Sequence, residues 1–443
     1  MKRFELLGSE MFFLLLFNLT ATGNNFPERV SVPLEMNSNS GVNYSPRDAG
    51  YQKALSGPVI IDASRYPTLK AAFEAVPEGG GLVIIPPGEY EITEPLVLTK
   101  DNTHVRGSGP STHIINRNEN GEPGLIVRSV NSSDKKTFLW RIQLSDFRVS
   151  GNGKSGDGIY LERINELFVS GLLVDHNGRH GINMNFCYEN PRINHCNITY
   201  NAIAGIFAEG SHDVVMSANQ FEENLDALQY INGFNLTMTG NNVDDHLRNG
   251  VVIENTYGSV ISGNMIEECK GTAVILDRDC YGITVSSNVI ADDGGGVELR
   301  DAWGCTISAN TFVMVFNFSV LVGEKSGRAI ISGNNFCNSY IGEGKIKRLE
   351  QDPAKTSPEL GKDGGTGVIL KGTTDIAITG NFFGGLTGEA VKADAACSRL
   401  MVTGNIMTEL CRLSNDVKTA IDLGGAKESM VKDNTVEKGL IIK

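Results

Sequence analysis

The sequence predicts an all-β chain: a single right-handed parallel β-helix, a solenoid with coils of about 22–25 residues and a short capping helix near its start. Three observations carry that prediction. First, an asparagine follows "hxhSxN"-like strand patterns at Asn197, Asn219, Asn241, Asn264, Asn288, Asn310 and Asn334, spaced by 22, 22, 23, 24, 22 and 24 residues, and recurs at Asn381 and Asn405. Second, a glycine-led strand follows in most coils: "GIYLE" from 158, "GINMN" from 181, "GIFAE" from 205, "GVVIE" from 250, "GVELR" from 296 and "GVILK" from 367. Third, helical spacing is confined to one place, Leu69, Ala72, Phe73 and Val76, with Thr68 as N-cap and Pro77 as stop. Asparagine tolerates the left-handed backbone of a sharp corner, and stacked amides can bond from coil to coil. A helix at the entrance would cover a sheet edge that otherwise invites aggregation.

In chain order, residues 1–23 read as a secretory signal. Lys2 and Arg3 precede the apolar "MFFLLLFNL", which is too short to span a bilayer, and Ala21-Thr22-Gly23 makes a small-residue cleavage site. That implies a secreted, periplasmic or cell-surface protein with no membrane span. Residues 24–57 lack periodicity and read as a linker or N-terminal arm. The β-helix domain takes 58–443, interrupted at about 339–366 by a charged Pro/Gly segment that is either a loop inserted in one coil or an irregular double coil. The eight cysteines form no CxxC pair; export permits disulfides, and buried thiols filling coil interiors remain the alternative. With 52 acids against 39 bases the formal charge is −13, which argues against a nucleic-acid partner and requires cations or clustered bases for any polyanionic substrate. Nothing marks a trimer interface, so monomer and trimer stay open.

"GGGLVIIPPGEYEI" (79–92), "NTHVRGSG" (102–109) and the Asn-centred coils resemble the pectate-lyase-like right-handed β-helix superfamily over residues 58 to about 436. The entry segment and the long loop also resemble the inulin fructotransferases. The superfamily resemblance implies the fold and a carbohydrate-active role among polysaccharide lyases, epimerases, glycoside hydrolases, esterases and phage tailspikes. Subfamily signatures are missing: there is no NTD, DD and GHG set, no GxxDFIFG and no RxPxxR.

Offsets from the corner residue align the coils. Four residues on stand His176, Asn201, Glu223, Asp245, Glu268 and Asp292; three residues on stand Asp175, Tyr200, Glu222, Asp244, Glu267 and Ala291. Coils repeat at about 4.8 Å, so stacked carboxylates must splay into water, bind a cation or hold raised pKa values. Calcium, a hard ion taking six to eight oxygens, is the cofactor such a column implies, with Asp244, Asp245, Glu267 and Glu268 as ligands. For a hydrolase, Asp245 and Glu268 would be about 5 Å apart, the retaining separation, and Asp245 and Asp292 about 10 Å, near the inverting limit.

"VDHNGRHG" (174–181) and "VDDHLRNG" (243–250) put Asp, His and Arg in equivalent turns. In a lyase or epimerase, His180 or His176 would remove the proton next to a uronic carboxylate that Arg179 or Arg248 neutralises. Tyr200, Asp226 and Tyr230 would line a trough for a polysaccharide chain. A second outward face carries Glu162, Asn185, Glu209, Glu254 and Arg300, with Trp303 as a sugar platform. The leading expectation is therefore an exported polysaccharide lyase or uronate epimerase. The alternatives are a two-carboxylate glycoside hydrolase or fructotransferase, and a non-enzymatic surface or adhesion β-helix.

Overall fold

A coil of this chain has three short strands and three corners, because alternating inward apolar residues can be buried only by curling the strip on itself. In the computed structural model, which describes residues 59–337 and 365–443, every strand pairs in parallel with its counterpart one coil on. The described residues form three parallel sheets of 17, 14 and 14 strands. The first sheet runs from Ile60–Asp62 to Met430–Lys432, the second from Gly88–Ile92 to Thr435–Val436 and the third from Leu96–Leu98 to Ile441–Ile442. All belong to one unit, Gly57–Lys443. The expected signal and arm lie outside the described residues.

Register keeps like over like. On the second sheet Val149, Val174, Ile198, Phe221, Val243, Ile266, Ile290 and Phe312 stack inward in unbroken order. Further along, Phe312, Phe336 and Phe383 stack ring on ring at 4.8 and 4.6 Å. At the entrance, helix Leu69–Glu74 buries Leu69, Ala72 and Phe73, and the Thr68 hydroxyl accepts the Ala71 N–H at 3.1 Å. The 338–364 segment lies outside the described residues, but the strands on either side of it pair directly, Val320 with Val368 and Phe336 with Phe383. The interruption is therefore an insertion within one coil. Seven of the eight cysteines, all but Cys337, are buried free thiols; burial pushes those of Cys187, Cys196 and Cys280 up to about 12, which leaves them inert.

The corner between the first and second sheets is the asparagine corner. Each side-chain Oδ1 accepts the backbone N–H and the Nδ2 of the residue one coil earlier, from Asn219 through Asn241, Asn264, Asn288, Asn310, Asn334, Asn381 and Asn405 to Asn434, at 2.9–3.1 Å. Asn197 does not belong to it. Cys196 holds that place, donating its N–H to Asn219 Oδ1 at 3.0 Å, and Asn197 is exposed at the start of the next strand. The one-residue slip moves every offset in that coil.

Candidate functional site

The corner between the second and third sheets carries the chemistry. With the slip corrected, Tyr200 rather than Asn201 joins the outward column, which reads His176, Tyr200, Glu223, Asp245, Glu268, Asp292. All six have left-handed backbone, φ 48° to 58°. The next residue in each coil turns inward: Asn177, Asn201, Asn224, His246, Cys269 and Asp293 are buried. The first three continue an amide ladder, Asn177 to Asn201 at 2.8 Å and Asn201 to Asn224 at 2.9 Å. Beneath Asp245, Glu268 and Asp292, His, Cys and Asp replace the amides, and His246 Nε2 and Asp293 Oδ2 have no partner among the described residues. Sequence reading missed this inner column, although the pairs Asp245-His246, Glu268-Cys269 and Asp292-Asp293 recur at coil spacing.

At the N-terminal end of the corner, carboxylates are matched by bases. Asp175 is buried and accepts two bonds from Arg148, at 2.9 and 2.6 Å. The same carboxylate meets His176 Nδ1 at 2.8 Å, while the His176 side chain stays 59% exposed and stacks on Tyr200 at 5.0 Å. Arg148, His176 and Tyr200 line an open cleft of about 450 Å³. Arg179 is 53% exposed, with its Nε 3.8 Å from Asp157.

Three expected site residues are placed otherwise. His180 is buried, its ring on Phe207 at 4.8 Å, and desolvation pulls its imidazole down to about 4, which makes it a weaker base than an ordinary histidine. Tyr230 is wholly inside the coil, its hydroxyl 2.6 Å from the Ser211 carbonyl, so it cannot stack on a sugar. Asp226 is fully buried and committed to the Arg248 guanidinium, the Asn249 N–H at 3.0 Å and Gln229 Nε2 at 2.6 Å; it positions Arg248 and does not face a substrate. For Asp226 and Tyr230 alternation along the strand Asp226–Ile231 sets the direction, and His180 is turned inward just before the strand Ile182–Asn185.

The C-terminal end of the corner is acidic. Asp244, Asp245 and Glu268 bring carboxylate oxygens within 4.8 Å of one another. Calcium bonds of roughly 2.3–2.6 Å admit oxygens up to about 5 Å apart, so this triad fits one ion. Glu267, the fourth expected ligand, is not part of that convergent set. Desolvation first, then the Asp245 charge and a hydrogen bond with Asp245, push the Glu268 carboxyl up to about 7. The two carboxyls therefore share a proton at hydrogen-bond range, closer than the separation expected for flanking a glycosidic bond.

The remaining face is occupied differently from expectation. Arg300 is tied to Glu298 at 2.8 Å and lies 3.8 Å from Asp277. Trp303 packs under Arg328, whose guanidinium carbon is 5.8 Å from the ring centre. It ends an aromatic row at the third corner, Tyr188, His212, Phe234, Tyr257, Tyr281, Trp303, whose first rings stack at 4.0, 4.4 and 5.1 Å. One aromatic per coil was legible in the sequence and was not noticed.

A parallel β-solenoid with a polar, chemically varied corner is the class these features define. The sequence pattern of the family described as the right-handed β-helix region matches residues 105–243 and 189–336, more than half of the chain, and the chain belongs to that family. Among solved structures it is similar to the Azotobacter vinelandii mannuronan C-5 epimerase AlgE4 A-module, at 15% identity and TM-score 0.55, covering 86% of this chain and 98% of that one. It is also similar to bacteriophage phi29 gene product 12, at 13% identity and TM-score 0.58, covering 85% and 55%. A third likeness is Geobacillus virus E2 ORF18, at 15% identity and TM-score 0.52; this chain is covered over 64% and spans 62% of that protein's length. At such identities the likeness concerns the fold. No helix among the described residues is long and apolar enough to cross a membrane.

Proposed function

We propose that this β-helix binds an acidic polysaccharide outside the cell and acts on it by removing the proton next to a uronate carboxylate, giving elimination or epimerisation. The observation that carries the reading is a single turn, Asp175 to His180, that offers an oriented imidazole and, three residues on, a loosely paired guanidinium. His176 is the base: Asp175 holds its Nδ1, which leaves Nε2 for the substrate proton. Arg179 neutralises the carboxylate whose charge would otherwise keep the adjacent C–H too weakly acidic. Tyr200, stacked on His176, borders the sugar. Asp244, Asp245 and Glu268 would hold calcium, which supplies positive charge for a neighbouring uronate. That site lies three coils away, about 14 Å, and so serves binding and not the reacting residue. The likeness to a module named as a mannuronan epimerase, matched over nearly its whole length, favours a uronan.

The test is incubation of the full chain with polymannuronate, polygalacturonate and a neutral β-glucan, with calcium or EDTA. Unsaturated-product absorbance and the C5 configuration by NMR are read together. Product from a uronan is expected, with His176→Ala slower by roughly 100-fold or more. A fully active His176→Ala would sink the assignment, and stable binding without product would favour a non-enzymatic adhesion protein. One observation favours a second reading: Glu268, raised to about 7 beside Asp245, pairs a proton donor with a carboxylate, the two groups a glycoside hydrolase or fructotransferase uses, at a separation shorter than the usual one. New reducing ends from the neutral glucan, lost in Glu268→Gln, would select it.

A further inference from the structure

We infer that His180 presents a fixed Nε2–H donor to an anionic oxygen of the bound glycan, its tautomer set by the backbone of the next coil. Only the identity of the ligand rests on the polysaccharide reading above; the donor itself rests on geometry.

The Ala204 N–H donates to His180 Nδ1 at 3.3 Å. An amide nitrogen can only donate, so Nδ1 keeps its lone pair and the proton of the neutral ring sits on Nε2. Two further contacts hold the residue: its backbone N–H donates to Asp157 Oδ1 at 3.1 Å, and Phe207 stacks on the ring at 4.8 Å and 27°. Three coils thus fix one imidazole. Its Nε2 has no protein partner among the described residues, yet it is absent from the sealed, unpaired atoms of the interior.

The acceptors around His180 are already used. Asp157 takes the His180 N–H on one oxygen and Asn183 Nδ2 at 2.9 Å on the other, and Asn183 Oδ1 takes Asn185 Nδ2 at 2.7 Å. What this stretch offers a ligand is donors: Nε2–H and the neighbouring Arg179 guanidinium. Two donors, one of them charged, suit a carboxylate or a sulfate oxygen. The groups facing the ring are Asp157 and Arg179, whose charges act in opposite senses, while burial keeps the imidazole neutral down to about 4. The donor therefore survives acidity that would charge an ordinary histidine. His180 is a recognition residue beside the base and not a second base.

Two measurements on the full chain test this. Long-range 1H–15N correlation on protein with labelled histidine, assigned by the signal lost in His180→Gln, is expected to show an Nε2-protonated neutral ring from pH 8 to pH 5. An Nδ1-protonated tautomer, or an imidazolium already at pH 5.5, would overturn the inference. Calorimetric titration with polymannuronate, a sulfated galactan and a neutral glucan is then run on wild type, His180→Gln and His180→Ala. Binding of one or both anionic polymers is expected, about tenfold weaker in the Ala variant and within about twofold in the Gln variant, which keeps an N–H donor. Equal affinity in wild type and His180→Ala defeats the donor while leaving the polysaccharide reading standing. No binding of any polymer by wild type defeats both. If the Ala variant fails to fold, the tautomer and the shift of the His180 Nε2 resonance when wild type is titrated with the anionic polymers decide: no shift at saturation defeats the donor.

Discussion

Two corners of the same coil face the same backbone demand and meet it in opposite ways. Between the end rungs, where His195 and Asp433 stand, the residue with left-handed backbone at the asparagine corner is small: Ala218, Gly240, Gly263, Ser287, Ala309, Gly333, Gly380 and Gly404. A buried asparagine follows each. At the corner between the second and third sheets the equivalent residue is His176, Tyr200, Glu223, Asp245, Glu268 or Asp292, and the buried follower changes from amide to imidazole, thiol and carboxyl. A side chain in left-handed backbone costs about 1 kcal/mol against glycine. Folding alone would place small residues at both corners.

The largest expected effect breaks the repeated corner. Asn264→Ala strands the Asn241 N–H and the Met238 carbonyl, and should cost about 4 kcal/mol, read as a fall in the chemical denaturation midpoint. Next comes Arg248→Ala at the varied corner, which leaves Asp226 charged, buried and without its guanidinium, at a cost of about 3 kcal/mol. Asp226→Asn in the same chain should recover most of that. If the double variant is no better than the single, the pair is not what holds this strand.

A smaller effect has the opposite sign. Asp245→Gly relieves backbone strain and like-charge crowding, so it should stabilise by about 1 kcal/mol in EDTA and abolish any rise in Tm with calcium. Loss of stability in EDTA would mean that the outward column serves the fold. A further effect is one of pH. Glu268 has its carboxyl raised to about 7, and buried Asp293 is raised well above the usual range, chiefly by desolvation. Groups raised in the folded state keep protons that the unfolded chain releases, so stability falls as pH climbs from about 4.5 to 7. Glu268→Gln and Asp293→Asn should flatten that slope in thermal melts. Calcium should raise Tm more at pH 8 than at pH 5, because it competes with the shared proton.

Much of this was legible beforehand. The period of the Asn-centred strands defined the coils, Leu69 to Val76 marked the capping helix, and Asp244, Asp245 and Glu268 were placed side by side from offsets alone. The failures have two causes. Choosing Asn197 over Cys196 as a corner misassigned one rung, hiding the contact of Tyr200 with His176 and the inward turn of Asn201. Tyr230 and Asp226 were given to solvent because their types suit a sugar site, whereas alternation along Asp226–Ile231 buries both.

By itself the sequence determined the repeat, and with it the stacking of like positions about 4.8 Å apart, because a periodic apolar pattern leaves the chain one economical way to bury itself. Only the tertiary structure decided which polar groups are spent on each other and which are left for a ligand. Asp175 was free to pair with anything until the previous coil supplied Arg148. His180 had the makings of a base until the Ala204 N–H, one coil on, took its Nδ1 lone pair. Such choices depend on the distance between atoms some 24 residues apart in the chain, and a one-residue slip of register changes every one of them.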